Sequence, residues 1–417
     1  MKNKFRNFWI NISLFLAIMG PGIITGSVDN DAGCITTYSV AGAQYGYTLL
    51  LTLIPAFIIL LVVQEMNARM GMVTNMGLAD LIRENFGVKI TGLIFLGLVI
   101  ADIGNTATEF AGVAGSMNVF GITKYLSVPV AAIGVWILVV YGNYKIAERI
   151  FLIFSFALLS YVISAVMAKP DLHQVARGFT HPSLRFDKDY LAMVLGIVGT
   201  TVAPWMQFYM QSSVIEKGLK IKDYKYAVWD VIVGCLATVV VAYFIIIACA
   251  ATLHSKGIVI NEAKDAAIAL QPFAGKLAGQ VFAFGLFIAS IFSATILPLA
   301  TAFYVCEAFG FEAGINKRLR EAPQFYALFT SIMAIAIVII LWPNAPLIAI
   351  TIWTQVINAI LLPVVLISMI MMVNKKEIMG EHVNNPAQNI VGWVTVVALL
   401  VMTALLAVSP LVSRLIK

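Results

Sequence analysis

The sequence predicts an all-α integral membrane protein, and three observations support this prediction. First, 61% of the 417 residues are hydrophobic and only 12% are charged, whereas about a quarter of the residues in soluble domains are charged. Second, apolar runs recur along the chain, each near the roughly 20 residues that an α-helix needs to cross the hydrocarbon core. Third, two of these runs are interrupted by polar, glycine and proline residues. Composition therefore excludes a soluble fold, and we expect one membrane domain over residues 1–417.

Polar breaks divide the apolar runs into eleven predicted membrane-spanning helices. The predicted spans are residues 10–44, 46–68, 88–119, 126–141, 149–168, 189–216, 226–253, 274–308, 324–342, 345–373 and 390–413. The four cysteines, Cys34, Cys235, Cys249 and Cys306, fall inside these spans without paired loop spacing. Neither a disulfide framework nor a zinc site is therefore predicted.

The formal charge of +6 predicts membrane topology rather than nucleic-acid binding, because the basic residues lie mainly in short loops. If the amino terminus is cytoplasmic, 17 of the 27 Lys and Arg residues fall on the cytoplasmic side, including the Lys217–Lys225 cluster. The positive-inside rule then predicts a multi-pass protein of the cell membrane with its amino terminus cytoplasmic and its carboxyl terminus extracytoplasmic.

The two interrupted spans are the first and the sixth. They contain Asp29-Asn30-Asp31-Ala32-Gly33 and Gly199-Thr200-Thr201-Val202-Ala203-Pro204. Because they lie five spans apart, an odd number, they predict two repeats of opposite topology at residues 10–168 and 189–373, with an extra helix at 390–413. Corresponding breaks in inverted repeats indicate a substrate site at the membrane midplane, where free carbonyls and helix carboxyl ends favour a cation. The alternative is a pair of unrelated kinks, which membrane helices tolerate.

Asp31 is the predicted primary ligand of this cation. Burying a carboxylate at the bilayer centre costs at least about 2.5 kcal/mol, so an intramembrane acid indicates a function. Asp29 and Asp31 turn toward one cavity if the helix unwinds at Ala32–Gly33. Asp29 is then either a second ligand or the cap of a half-helix. We expect Asn30 and Gly33 to surround a hydrated ion.

Polar side chains on other spans are further candidates. Gln355 and Asn358 share one face of span ten at i and i+3, where they either hydrogen-bond metal-bound waters or join helices. Glu65, near the inner end of span two, forms either a gate or an interfacial ion pair with Arg69 at i+4. Glu307 near the inner end of span eight has the same two interpretations.

Eight motifs occur in an order typical of one transporter family. They are Gly20-Pro21-Gly22, Asp31-Ala32-Gly33-Cys34, Ala41 to Tyr47, Thr108 to Gly112, Tyr144 to Ile150, Gly196-Ile197-Val198-Gly199, Val305-Cys306-Glu307, and Thr354-Gln355 followed by Pro363. Together they resemble the NRAMP (natural resistance-associated macrophage protein) family of divalent-metal transporters over nearly the whole chain. The resemblance implies a LeuT-like inverted repeat with discontinuous helices 1 and 6. It also implies that the metal is transported substrate rather than a cofactor.

The resemblance implies cation-binding positions residue by residue. The family's metal-binding Asp corresponds to Asp31, its Asn to Cys34, its methionine to Ala203, and the carbonyl donor three residues earlier to Thr200. A thioether selects softer metals, so Ala203 removes that selection and widens the pocket for an ion that keeps its waters, as Mg²⁺ does. This departure is similar to the NRAMP-related magnesium transporters. The Cys34 thiol is either a small packing residue or a soft-metal ligand.

The positions implied for proton transfer also depart from the family. Its two span-six histidines correspond to Met210 and to Trp205, which we expect near the hydrated ion. Its span-three acids correspond to Glu109, a candidate proton or gate residue, and to Gly112. Asp102, two turns earlier, is either a substitute acid or a polar group inside the span. We therefore expect uncoupled import of hydrated Mg²⁺, and also of Mn²⁺, by alternating access.

Two transport alternatives stay open: a proton-coupled Mn²⁺ or Fe²⁺ symporter, and an amino-acid carrier on the same fold. An enzyme is not predicted, because the sequence shows no nucleophile with a base, no metal-hydrolase spacing and no phosphate loop. Apart from the cation and the lipid bilayer, no nucleic acid and no obligate protein partner are implied.

Overall fold

The computed structural model describes residues 20–141, 159–180, 185, 187–261, 263–271, 275–314 and 317–415. All regular structure in these ranges is helical, and nine helical stretches within them are long and apolar enough to cross a membrane. These nine match predicted spans two, three, four and six to eleven. Predicted span one is divided into two short helices. Its residues 10–19, the first half of span five (149–158) and the motif Tyr144 to Ile150 lie outside the described residues.

The helices are numbered here in chain order. They are α1 Pro21–Asp29, α2 Ala32–Tyr45, α3 Leu53–Thr74, α4 Leu78–Asn118, α5 Lys124–Tyr141, α6 Leu159–Met167, α7 Leu172–Thr180, α8 Lys188–Thr201, α9 Pro204–Glu216, α10 Tyr224–Thr252, α11 Ala263–Ala266, α12 Ala278–Phe309, α13 Pro323–Leu341, α14 Leu347–Val373, α15 Lys376–Met379 and α16 Pro386–Leu415.

Most predicted span boundaries lie within four residues of the observed helix ends, and the three exceptions are both ends of span two and the start of span three. Span two is predicted to end at residue 68, whereas α3 continues to Thr74. The sequence predicts span two from residue 46, but Gly46 adopts φ +59° and the chain turns before α3 begins at Leu53. The sequence predicts span three from residue 88, whereas α4 extends back to Leu78. Gly87 has φ +77° inside α4, so α4 consists of two helical segments that meet at a kink near the predicted start.

Glycines allow the broken helices to approach their neighbours closely. A Cβ atom on Gly22 of α1 would lie 2.8 Å from the carbonyl carbon of Asp230 in α10, and one on Gly26 would lie 2.7 Å from the carbonyl oxygen of Gly234. A Cβ atom on Gly199 of α8 would overlap the backbone of α14. Small residues are what permits such backbone contact between membrane helices. Both breaks are therefore held close to continuous helices.

A cavity of about 760 Å³, which we call the vestibule, enters the bundle from one side. It is lined by α2, the end of α4, the start of α5 and the start of α14, through residues such as Thr36, Gly112, Lys124 and Thr351. A Cβ atom on Gly112 would lie 2.5 Å from the Ala32 Cβ. The vestibule thus reaches Thr36 in the second turn of α2, and Gly112 in its wall lies beside Ala32, the first residue of α2.

Candidate cation site

The two helix breaks meet in the middle of the bundle. The Cys34 Sγ of α2 lies 3.1 Å from the Thr200 Oγ1 and 3.7 Å from the Thr200 carbonyl oxygen of α8. One turn further along, the Tyr38 hydroxyl lies 2.8 Å from the Thr201 Oγ1. The structure therefore brings Cys34 into contact with Thr200, and Asp31 and Ala203 each lie three residues along the chain from this contact.

The first break lies at Asn30 and Asp31, not at Ala32–Gly33 as the sequence analysis expects. Ala32 already begins α2, because the Asp31 backbone is extended (φ −81°, ψ −175°) and its Oδ1 accepts a hydrogen bond of 2.7 Å from the Cys34 amide. The Asn30 side chain bonds the Gly26 carbonyl of α1 at 3.0 Å. Asp31 is thus the cap of the second half-helix, a role that the sequence analysis considers for Asp29.

Asp29 ends α1 and is 1% exposed. Its Oδ2 has no hydrogen-bond partner among the residues that the structure describes. An unpartnered buried carboxylate oxygen is costly unless another group compensates it. A bound cation would supply that compensation.

The Glu109 side chain, from α4, lies beside the first residue of α2. Its Oε2 accepts a hydrogen bond of 3.3 Å from the Ala32 amide, and its carboxyl group lies beside that of Asp31. The family's other span-three acid has no room at Gly112, because a Cβ atom there would overlap the Ser290 hydroxyl and crowd Ala32. Glu109 is therefore the acid that α4 contributes beside the break.

The second break places Ala203 between α8 and α9. Ala203 is the N-cap of α9 with an extended backbone, and its carbonyl accepts a hydrogen bond of 3.1 Å from the Gln207 side chain. Its own side chain is a buried methyl group. Trp205 is also buried and packs against Tyr209, with ring centroids 6.1 Å apart.

The two amides of span ten differ in their relation to the break. A Cβ atom on Gly33 would overlap the Gln355 Nε2 and lie 3.0 Å from the Asp31 Oδ1, so Gln355 reaches the acidic break. Asn358 instead bonds Gln355 at 2.9 Å and Asn105 of α4 at 2.8 Å. Asn358 therefore contacts the break through Gln355.

Two buried acids outside the helix breaks bond to groups on distant parts of the chain. Asp230 of α10 accepts hydrogen bonds from the amides of Gly20 (3.0 Å) and Gly22 (2.7 Å), at the start of α1. Asp102 of α4 accepts hydrogen bonds from Tyr304 and Thr301 of α12 at 2.6 and 2.9 Å. Each is an acid inside an apolar span, a pattern that by itself indicates function. That pattern could have directed attention to Asp230.

On the side opposite the vestibule, Glu65 forms the expected ion pair with Arg69 at 2.8 Å. The pair is part of a larger network, because Tyr224 and Gln388 also donate hydrogen bonds of 2.6 Å to Glu65. Glu307 accepts a hydrogen bond of 3.0 Å from Ser212 of α9. These contacts join α3, α9, α10, α12 and α16 on that side.

The chemistry available at the paired breaks is that of oxygen ligands. The oxygen donors are the Asp29 and Asp31 carboxylates and the backbone carbonyls of the unwound segments. The Cys34 sulfur is already engaged with Thr200. No group of three or more His, Cys, Asp and Glu side chains in the described ranges could hold a metal ion in the way of a resident metal centre.

Comparisons of sequence agree with the motifs. The chain matches the family model described as "Natural resistance-associated macrophage protein-like" over residues 22–409. The divalent metal cation transporter MntH of Yersinia pestis (strain Pestoides F) is 26% identical over 410 residues, which cover 94% of this chain and 95% of that protein. MntH of Latilactobacillus sakei subsp. sakei (strain 23K) is 28% identical over 421 residues, which cover 95% of this chain and 89% of that protein.

Comparisons of structure agree with the fold. The Eremococcus coleocola manganese transporter aligns with a TM-score of 0.74 at 20% identity, covering 95% of this chain and 86% of that one. Mhp1, a nucleobase-cation-symport-1 family transporter, aligns with a TM-score of 0.61 at 12% identity, covering 93% and 92%. These likenesses confirm the predicted LeuT-like membrane fold, and the proteins named are transporters rather than enzymes. The match over residues 22–409 shows that this chain belongs to the natural resistance-associated macrophage protein (NRAMP) family.

Proposed function

We propose that this protein imports divalent metal cations by alternating access, and that its substrates are hydrated Mg²⁺ and also Mn²⁺. The broad class is supported by the relatives, which are named divalent metal cation transporters in Yersinia and Latilactobacillus and a manganese transporter in Eremococcus. The choice of Mg²⁺ rests on the chemistry of the paired breaks.

The observation that carries this choice is the side chain at the second break. Ala203, where the family resemblance implies a methionine, offers a methyl group and no thioether. The Cys34 thiol lies 3.1 Å from the Thr200 hydroxyl, and in this proposal it is a small packing residue rather than a metal ligand. Hard oxygen ligands and a shortened side chain favour Mg²⁺, which dehydrates reluctantly and touches one or two carboxylates.

The same site supports transport without proton coupling. Trp205 and Met210 stand where the family resemblance implies histidines, and the Met210 sulfur instead contacts the Thr25 hydroxyl at 3.9 Å. The second acid is absent from α4 because position 112 is a glycine, and Ser290 fills the space beside it. A divalent ion gains about 4.6 kcal/mol per 100 mV, from about 2.3 kcal/mol per charge. Membrane potential alone therefore drives accumulation in this proposal.

The proposed orientation follows from the distribution of basic residues. With the amino terminus cytoplasmic and the carboxyl terminus extracytoplasmic, the vestibule opens to the outside of a cell membrane, and the Glu65 network lies on the cytoplasmic side. The inverted repeats at 10–168 and 189–373 belong to this proposal. The paired breaks in α1/α2 and α8/α9 are its structural support.

The test is cation binding and flux with the purified full-length protein in proteoliposomes. Asp31→Ala should abolish Mg²⁺ flux and weaken Mg²⁺ binding by more than the roughly 10- to 100-fold that loss of an outer partner costs. Ala203→Met should strengthen Mn²⁺ binding and reduce Mg²⁺ flux, because it adds a thioether and narrows the pocket.

Two controls separate the parts of this proposal. Thr330→Val, which removes a hydroxyl at the far face of α13 that bonds Trp136 at 3.0 Å, should leave both cations unaffected. Mg²⁺ flux that survives Asp31→Ala would refute the site. Tighter Mn²⁺ binding in Ala203→Met with unchanged Mg²⁺ flux would refute the argument from pocket width.

One observation favours a second candidate, the proton-coupled Mn²⁺ or Fe²⁺ symporter. Glu109 lies beside Asp31, and two neighbouring carboxyl groups readily share a proton. A cation entering the break would then displace that proton. Proton movement measured together with metal flux distinguishes the two candidates.

A further inference from the structure

Asp102 is a buried carboxyl group on α4 that does not reach the helix breaks directly. The Tyr304 hydroxyl and the Thr301 hydroxyl approach its Oδ2 at 2.6 and 2.9 Å, and the Asn105 Nδ2 approaches its Oδ1 at 2.9 Å. An amide N–H can only donate, so the Asp102 Oδ1 accepts. Asp102 therefore fixes which way the Asn105 amide points.

A chain of amides continues from this bond toward the cation site. Asn105 and Asn358 form a reciprocal pair, with N–O distances of 2.8 and 3.2 Å. The Asn358 Nδ2 then donates to the Gln355 Oε1 at 2.9 Å. Because its oxygen is used in this way, Gln355 turns its Nε2 toward Gly33 and the Asp31 carboxyl group.

The donor and acceptor roles of these linked amides depend on one another, so one amide cannot turn over alone. If the Gln355 oxygen turned toward the site, its Nε2 would face Asn358, and Asn358 would have to accept where it now donates. Asn358 would then have to turn over, and its reciprocal partner Asn105 would have to turn over with it. The Asn105 oxygen would then face the Asp102 Oδ1, and two acceptors without a proton between them are unfavourable in a buried site. A carboxylate at position 102 forbids the reversed chain, whereas an amide there permits both directions.

We propose that Asp102 is a positioning residue for the cation site, which holds Gln355 with its N–H group rather than its carbonyl oxygen toward Asp31. The proposal rests on Asp31 as the cation ligand of the proposed function. An N–H group turned toward Asp31 presents the positive end of its dipole to an arriving cation and offers that cation no ligand. A carbonyl oxygen in their place would accept hydrogen bonds from waters of a hydrated ion. Asp102 thus lowers cation affinity, which assists release.

A double-mutant cycle on the full-length protein tests this coupling. Asp102→Asn should lower the Kd for Mg²⁺ by about 5-fold, the effect expected of one net hydrogen bond. In the Gln355→Leu background the same substitution should leave the Kd unchanged, because the end of the chain is gone. Isothermal titration with Mg²⁺ and separately with Mn²⁺ measures both arms.

Two further variants exclude a merely structural role. Tyr304→Phe removes a hydrogen bond from α12 to Asp102 but keeps the chain of amides. Any change in the Kd for Mg²⁺ should therefore be equal with Gln355 present and in the Gln355→Leu background. Asn105→Leu cuts the chain while approximately keeping side-chain volume, so its effect should equal that of Asp102→Asn and not add to it. This variant serves if Asp102→Asn does not fold.

The outcomes separate this proposal from the proposed function. The role of Asp102 is overturned if Asp102→Asn changes the Kd equally with Gln355 present and in the Gln355→Leu background. It is also overturned if neither Asp102→Asn nor Asn105→Leu changes the Kd. Binding of Mn²⁺ without binding of Mg²⁺ contradicts the proposed substrate. The Kd values for Mn²⁺ then test the role of Asp102 in the same double-mutant cycle.

Discussion

At the scale of single residues, Asp31 caps a helix and, in the proposed function, binds the cation, and helix geometry makes these two tasks compatible. Its Oδ1 caps α2 through the Cys34 amide at 2.7 Å, and such caps contribute about 0.5–2 kcal/mol. The partial positive charge at the start of α2 also stabilises a carboxylate in apolar surroundings. The charge that would bind a cation is thereby held at the break before any ion arrives.

Gly33 is the residue that lets Gln355 approach this carboxylate. We predict that Gly33→Ala raises the Kd for Mg²⁺ by about 10-fold, equivalent to about 1.4 kcal/mol, because a Cβ atom 3.0 Å from the Asp31 Oδ1 would crowd the carboxylate that binds the cation in the proposed function. Titration calorimetry measures this change. Gly92→Ala is the matched control, since a Cβ atom there meets nothing within 4 Å. Equal affinities in the two variants would contradict the packing argument.

At the scale of elements, α1 is fixed at both ends by side chains of other helices. Asp230 of α10 binds the amides of Gly20 and Gly22 at its start, and the Ser293 hydroxyl of α12 bonds the Val28 carbonyl near its end at 3.0 Å. Polar helix ends inside a membrane must find such partners, since lipid offers none. A movement of α1 therefore has to break the Asp230 bonds.

We predict that Asp230→Asn loosens the start of α1. The amide places an N–H group against one of the two backbone N–H groups, so one cap bond of about 1 kcal/mol is lost. Labelling by a maleimide of a cysteine introduced at Thr25 should accelerate about 5-fold; the four native cysteines are buried and contribute little background.

The matched control for this prediction is Asp171→Asn, which makes the same substitution at another helix cap. Asp171 accepts a hydrogen bond of 2.9 Å from the His173 amide at the start of the exposed helix α7. Labelling at position 25 should not respond to it. Equal acceleration by both substitutions would show that Asp230 has no specific role in holding α1.

At the scale of the whole molecule, the structure is open on one side of the helix breaks and hydrogen-bonded across the other. The vestibule reaches Thr36 in the second turn of α2, while Glu65, Arg69 and their partners join the helices on the opposite side. Alternating access in such folds is largely the rocking of one helix group against the other around a fixed site. The structure corresponds to one end of that movement.

We predict that Mg²⁺ entry through the whole molecule carries no protons. With a membrane potential across proteoliposomes, Mg²⁺ should accumulate while a pH-sensitive dye inside reports no acidification, because the sites that would pass protons are occupied by Trp205, Met210 and Gly112. Liposomes containing Asp31→Ala protein serve as the control for leak. Acidification that depends on Mg²⁺ would instead support the proton-coupled symporter.

The sequence by itself predicted the membrane fold, most span boundaries and the two broken helices. These properties depend on the local pattern of apolar, polar, glycine and proline residues, because each span must satisfy its own length and hydrophobicity. The motifs also predicted the family, which the match over residues 22–409 confirmed. Asp31 and Ala203 were predicted at the breaks for the same local reason.

The tertiary structure decided what each polar side chain does there. It made Asp31 rather than Asp29 the cap of α2, filled the space beside Gly112 with Ser290, and linked Asp102 to Gln355 through two asparagines. The Asp230 cap joins residues 208 positions apart, and the Asn105–Asn358 pair spans 253. No local pattern encodes such partners, because they exist only when packing brings distant helices within hydrogen-bonding distance.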